Sequence, residues 1–324
     1  MGKVSDMWRL LEQAPEKARE QREVFRDTLI DLMDADDKIV MLEADLGGAS
    51  GSLKIGRAHP ERYFECGVME ANMIGVAAGL SMRGFTPFVH TFAPFASRRV
   101  ADQVFLEGAY AGNTLNIYAS DPGVCAATNG GTHTTFEDIS LMRAIPGVMV
   151  FDPADGVQLE WLIRTLSGLR GVHYVRTTRK GILPVYAPGS TFEIGKGNVL
   201  RRGGDVLLLA MGQVLEDALA AAARLESEGV SVEVIDMFTV KPFDRELLLS
   251  EAAGKRLVVT CENHSVYGGL GSTVAECLAE LPAHAPLCRI GIEDRFGQVG
   301  SLDYLKKDYG LDAESVAACV RERL

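Results

Sequence analysis

No stretch of this chain reaches the ~18 consecutive apolar residues that mark a membrane-spanning helix. Its start, Met1 to Glu23, mixes both charge signs instead of setting a basic segment before an apolar one. Neither a membrane span nor a secretory leader is expected, and the expected location is cytoplasmic. The six cysteines, Cys66, Cys125, Cys261, Cys277, Cys288 and Cys319, are scattered without a Cys-x-x-Cys pair. That spacing argues against a zinc site and a disulfide framework, and reads as buried thiols, with Cys66 close to the candidate site. Short repeats and low-complexity segments are also missing, which argues against a solenoid. Positive charge is scarce: the net charge of −11 disfavours nucleic acid or an anionic membrane as the main partner. A small anionic substrate remains admissible because it responds to the local field, and Arg98, Arg99, Arg176, Arg179 and Lys180 are available to supply one.

With 324 residues, 47% of them hydrophobic, the chain has apolar material for about two domains. Phe25, Leu29, Leu32 and Met33 recur at helical spacing before Ile39-Val40-Met41-Leu42, a short apolar run that reads as a buried strand. Strands near 85–90, 115–120, 148–151 and 172–176 are expected to alternate with helices near 70–83, 97–111, 137–144 and 155–168. Such alternation predicts an α/β domain with a mainly parallel sheet. Pro184, Pro188, Gly189, Gly195 and Gly197 then cluster, placing a boundary at 187–192, with domains at 1–189 and 190–324. The second half reads as another α/β domain, with strands 206–211, 230–235, 257–261 and 287–292 and helices 214–227, 244–253, 270–281 and 312–323. Gly47 to Ser52 reads as a loop without the Gly-Lys-Ser/Thr ending of a P-loop. Gly268-Gly269-Leu270-Gly271 lacks the last glycine of a dinucleotide loop and reads as a tight helix start.

The most informative segment runs from Gly67 through Glu70 to Leu80 and is followed by Thr91-Phe92-Ala93-Pro94-Phe95-Ala96-Ser97-Arg98. One carboxylate, Glu70, lies among Val68, Met69, Met73 and Ile74, where desolvation is expected to raise its pKa and let it share a proton. Two aromatic rings follow, which together make a site for a flat, basic heterocycle. Alternatively, Glu70 is a helix N-terminal acid favoured by the dipole, and the two Phe are ordinary core. The segment resembles the pyrimidine-binding half of the transketolase family. The resemblance extends from about Arg22 to the end, through Glu43-Ala44-Asp45-Leu46, Gly130-Gly131-Thr132-His133 with Glu137-Asp138, Val234 to Met237 and Lys241 to Asp244. Deoxyxylulose-phosphate synthases resemble it similarly.

The resemblance implies consecutive pyrimidine-binding and transketolase C-terminal domains, and thiamine diphosphate as cofactor. It implies that Glu70 hydrogen-bonds a ring nitrogen of the aminopyrimidine and favours the tautomer that deprotonates the thiazolium. Phe92 and Phe95 would pack on that ring, with Asp45, Leu46 and Arg98 beside the cofactor. His133 would meet a ketose hydroxyl or move protons. Asp121, Asn129, His133, Arg176 and Arg179 become the substrate-binding candidates. The Gly-Asp-Gly motif that holds Mg²⁺ and the diphosphate in this family is absent from the chain. A separate N-terminal subunit carrying it, in an α₂β₂ complex, is the implied partner, and two-carbon ketol transfer between sugars is the implied activity. Two departures unsettle a pentose phosphate as substrate: Asn129 stands where transketolases carry Asp, and Asp121 where they carry a phosphate-contacting His. The β subunit of a 2-oxoacid dehydrogenase and a noncatalytic assembly or regulatory subunit remain as alternatives.

Overall fold

Ile39–Glu43 carries no alternation of polar residues because both of its faces are covered, and all five residues are buried in β1, as a central parallel strand requires. The computed structural model describes residues 7–13, 15 and 17–324. Along the chain follow β2 (Tyr63–Glu65), β3 (Thr86–Phe92), β4 (Leu115–Ser120), β5 (Met149–Phe151), β6 (Val172–Thr177), β7 (Asn198–Arg201), β8 (Val206–Ala210), β9 (Val232–Asp236), β10 (Thr239–Lys241), β11 (Leu257–Ser265) and β12 (Leu287–Ile292). They form a seven-stranded sheet, β10-β5-β6-β4-β3-β1-β2, and a five-stranded sheet, β12-β11-β8-β9-β7. Only the β10–β5 and β7–β9 pairs are antiparallel. Helices alternate with the strands, so the expected two α/β units are present. Among the described residues, no helix is long and apolar enough to cross a membrane.

Four local expectations change. The helix expected over 97–111 is broken into Ala93–Ser97, Ala101–Gln103 and a π-helical turn, Val104–Tyr110. Gly108 in that turn faces Leu115 and Val172 so closely that a Cβ would meet Leu115 at 2.8 Å. Gly47 to Ser52 does not run as a loop. It enters two short helices, Gly47–Ser50 and Leu53–Ala58, whose serines Ser50 and Ser52 bond the buried Glu43. The strands β2, β7 and β10 escaped sequence reading because they are three or four residues long and incompletely buried. Finally, β10 comes from the second half of the chain but extends the first sheet, so the sheets interlock across the 187–192 segment.

A buried ion cluster reinforces that interlock. Arg176 on β6 is fully buried and donates to Asp138 at 2.8 Å, to Asp152 at 2.6 Å and to the Asn263 carbonyl of β11 at 2.8 Å. Burial pushes the Asp152 carboxyl up to about 6 against the pull of Arg176. The sequence reading of Arg176 as a substrate contact is corrected here, since all its guanidinium nitrogens are engaged inside the protein. A second buried carboxylate, Asp236, accepts from Tyr186 at 2.6 Å and Gln158 at 2.9 Å, yet burial dominates and lifts it to about 7.

Arg176→Met is expected to cost about 3–5 kcal/mol in denaturant unfolding, because it strands two buried carboxylates. Asp152→Asn in the same background should recover part of that loss. Asp236 binds its proton more tightly in the folded than in the unfolded chain, so its contribution is complete below about pH 4 and disappears as pH rises through about 7. Asp236→Asn stays neutral throughout. Its melting temperature relative to the parent protein should therefore rise between pH 5 and pH 8, and a flat difference would show that Asp236 is already ionised at pH 5.

Candidate active site

After β1 the chain first adds β2 on one side and then returns to place β3 on the other. In open α/β sheets ligands bind beyond the carboxyl ends of the strands where the order reverses. The residues leaving the strands here are Asp45 and Leu46 after β1, Glu70 at the helix beyond β2, Phe92 ending β3, Asp121 after β4 and Arg179 after β6. The topology therefore brings six of the sequence candidates to one rim.

Glu70 opens the helix Glu70–Met82 and is only 2% exposed. Its surroundings differ from the apolar collar expected from the sequence. Met73 and Ile74 are buried, but Val68 and Met69 point to solvent, and Arg99 Nη1 donates to the carboxylate at 2.6 Å. A cation, not an apolar collar alone, therefore faces this carboxylate. Arg99 also stacks on Phe95, with Cζ 4.1 Å from the ring centre. The family resemblance counts Arg98 among the residues beside the cofactor. Arg98 instead donates to Glu137 at 2.6 Å and the Thr134 carbonyl at 3.2 Å, bracing the turn that carries His133.

Three rings gather on the far side of Arg99, which links Phe95 to Glu70. Phe92 and Phe95 lie 6.3 Å apart, and His133 approaches them edge-on at 6.0 and 5.4 Å. The His133 turn needs its two glycines: Gly130 sits at φ +77°, and a Cβ on Gly131 would meet the Gly297 carbonyl at 2.5 Å. His133 Nδ1 bonds Thr132 Oγ1 at 2.9 Å. Asn129 is exposed and has no side-chain partner among the described residues. Asp121 is buried and holds Arg179 through its backbone N–H at 2.8 Å and its Nε–H, and Arg179 lies over Phe92. Burial pushes the Asp121 carboxyl up, opposed by that guanidinium. Asp45 is exposed at φ 58°, and Glu65 gathers its N–H at 2.7 Å and that of Gly67 at 2.9 Å, while Leu46 is half-buried.

Beneath this rim runs a chain that sequence reading passed over. The fully buried Glu43 accepts from Ser50 and bonds His90 Nδ1 at 2.6 Å, and His90 Nε2 meets Ser120 at 2.9 Å. It crosses β1, β3 and β4, and its one sequence signal is a Glu and a His inside otherwise apolar strands.

A flat heterocycle that carries N–H groups has what it needs here: a buried carboxylate for its edge and aromatic rings for its face. The guanidinium of Arg99 already takes both contacts. Residues 17–183 match the family model for the transketolase pyrimidine-binding domain, and residues 195–316 that for the transketolase C-terminal domain. The 6-deoxy-6-sulfo-D-fructose transketolase subunit SqwH of Clostridium sp. (strain MSTE9) is 46% identical over 93% of this chain and 93% of its own. The 1-deoxy-D-xylulose-5-phosphate synthase of Heliobacterium modesticaldum is 35% identical over 93% of this chain, which spans 46% of that protein. A solved split-gene transketolase, described as an inactive β₄ tetramer, superposes with a TM-score of 0.86 and 39% identity over 94% of this chain and 98% of that one. The chain therefore belongs to the transketolase family and corresponds to the C-terminal section of its split, thiamine-diphosphate-dependent members.

Proposed function

We propose that this chain completes a two-carbon ketol transferase only together with a separate subunit that holds Mg²⁺ and the cofactor's diphosphate. The observation that carries the reading is the buried Glu70 carboxylate joined through Arg99 to the cluster of Phe95, Phe92 and His133 rings, in a chain without a Gly-Asp-Gly motif. Thiamine diphosphate, when bound, supplies the carbon nucleophile. Glu70 would hydrogen-bond a ring nitrogen of the aminopyrimidine and control its protonation, with Arg99 giving up the contact it makes now. Phe92 and Phe95 would fix the plane of that ring and keep water from it. His133, with no protein partner on Nε2 among the described residues, is free to bond a donor hydroxyl or carry a proton.

The expected partner surface is apolar. Val68, Met69, Val76 and Met82 on or before helix Glu70–Met82 are exposed, as are Phe105, Leu106 and Tyr110 on the adjoining turn. A contiguous apolar face of this kind marks an interaction site. The assembly proposed is an α₂β₂ complex, with this face turned to another chain. The relative that acts on 6-deoxy-6-sulfo-D-fructose makes a sulfonated ketose the first donor to test.

Glu70→Gln keeps size and polarity but cannot manage the proton. Turnover of the assembled complex should fall by roughly 10²–10⁴-fold, the range of general acid–base contributions, with assembly unchanged. Hydrogen–deuterium exchange at the cofactor's C2 isolates the step, and wild-type exchange in the Gln variant would reduce Glu70 to a helix-start residue. The purified chain alone should bind thiamine diphosphate weakly and transfer nothing. Calorimetry and turnover with and without the partner test this, and robust turnover by the lone chain would end the split-subunit reading.

A further inference from the structure

The loop after β4 sets Asp121 behind Arg179, two residues beyond β6. Asp121 sits at φ 55°, buried, and takes both the backbone N–H and the Nε–H of Arg179. One oxygen of the carboxylate holds the inner edge of the guanidinium at Nε, and the other holds the backbone from which the side chain springs. The outer edge lies over Phe92, with Cζ 4.8 Å from the ring centre, and among the described residues neither Nη donates to a protein acceptor. Arg179 thus presents a fixed fork to the ring cluster while a negative charge stands directly behind it. The flanking cations do little to restore the field, since Arg22 and Lys180 both lean on Glu20, at 2.6 and 3.5 Å. Three cations against two carboxylates leave this corner with one net positive charge.

The attraction of an anion to such a corner grows linearly with its charge, whereas the cost of removing its water grows with the square of the charge. A strong positive field overcomes that cost for a dianion. A field weakened by Asp121 accepts a monoanion and disfavours a dianion. We propose that the Asp121–Arg179 pair selects ketoses whose far end carries a singly charged tetrahedral anion, a sulfonate or sulfate ester, over the doubly charged phosphate. This rests on the ketol-transfer reading above and on Arg179 meeting the far end of the donor.

D-fructose 6-sulfate and D-fructose 6-phosphate differ at that end in charge and hardly in shape. The test measures kcat/KM for both with the assembled complex at pH 8, above the second phosphate pKa of about 6. The sulfate ester should be preferred by about tenfold or more, and Asp121→Asn should reduce that preference about tenfold. Arg179→Gln should raise KM for both while leaving C2 exchange in place. Equal kcat/KM values in the wild-type complex overturn the proposal, as does an unchanged ratio in an Asp121→Asn complex that assembles. If that variant fails to assemble, the wild-type ratio decides alone. Absence of C2 exchange and of turnover on either ketose would sink the ketol-transfer reading itself.

Discussion

Arg176 is the interaction on which the site's geometry depends. Its guanidinium joins Asp138, which follows the His133 turn, Asp152 beyond β5, and the Asn263 carbonyl at the end of β11. Removing a charge from water is costly, and the cost is offset only by close partners, which all three guanidinium nitrogens have here. A group so fully bonded permits little variation in the position of its neighbours. Arg176 and Arg179 are three residues apart, so the buried guanidinium also helps fix where β6 ends and where the half-buried Arg179 emerges. Asn263 reinforces the joint by accepting Val124 N–H at 2.9 Å and donating to the Pro122 carbonyl at 3.0 Å, tying the second sheet under the loop that follows β4. The C-terminal half therefore serves the site as a rigid backing for its loops.

One electrostatic pattern repeats along the rim. Each buried carboxylate receives one basic partner from another element: Glu43 from His90, Glu70 from Arg99, Asp121 from Arg179. Pairing across elements gives each of these acids a hydrogen-bond partner in a poorly hydrated place. The pairs differ in what surrounds them. His90 is sealed between Glu43 and Ser120, whereas Arg99 is 44% exposed and regains water easily once another donor takes its place on Glu70. A fixed relay thus lies beneath an exchangeable contact.

Most of the fold was legible because its strands are short apolar runs and its helices carry regular apolar spacing. β4, β12 and the helices beginning near 70, 138 and 156 lie within a residue or two of where the sequence placed them. What escaped depends on tertiary partners. β10 is a strand only because β5 lies beside it, and the π-helical turn forms where Gly108 must clear Leu115 and Val172. At the site, the family resemblance pointed to Glu70, Phe92, Phe95 and His133; the structure clusters the three rings and links Glu70 to Phe95 through Arg99. The resemblance did not show that Arg98 and Arg176 are engaged by the protein itself. Arg98 and Arg99 are neighbours on one short turn and point to different partners, and no spacing rule separates them. Arg176 and Arg179 differ in burial, which depends on what the second sheet covers.

The rim as it stands is open on one side. Glu70 and the three rings define where a flat ring would lie, but the apolar residues just before Glu70 are exposed at 66% for Val68 and 60% for Met69. An acid whose chemistry depends on exclusion of water gains little from such a setting unless another surface covers it. The same exposed helix would supply the covering contact, so assembly and activation become one event. Burial of Val68 and Met69 by a partner would dry the space beside Glu70 and strengthen its hydrogen bond to a ring nitrogen. It would also make solvation less available to Arg99 and so bias the guanidinium between its two options: staying on Glu70, or yielding that place to the ring it imitates.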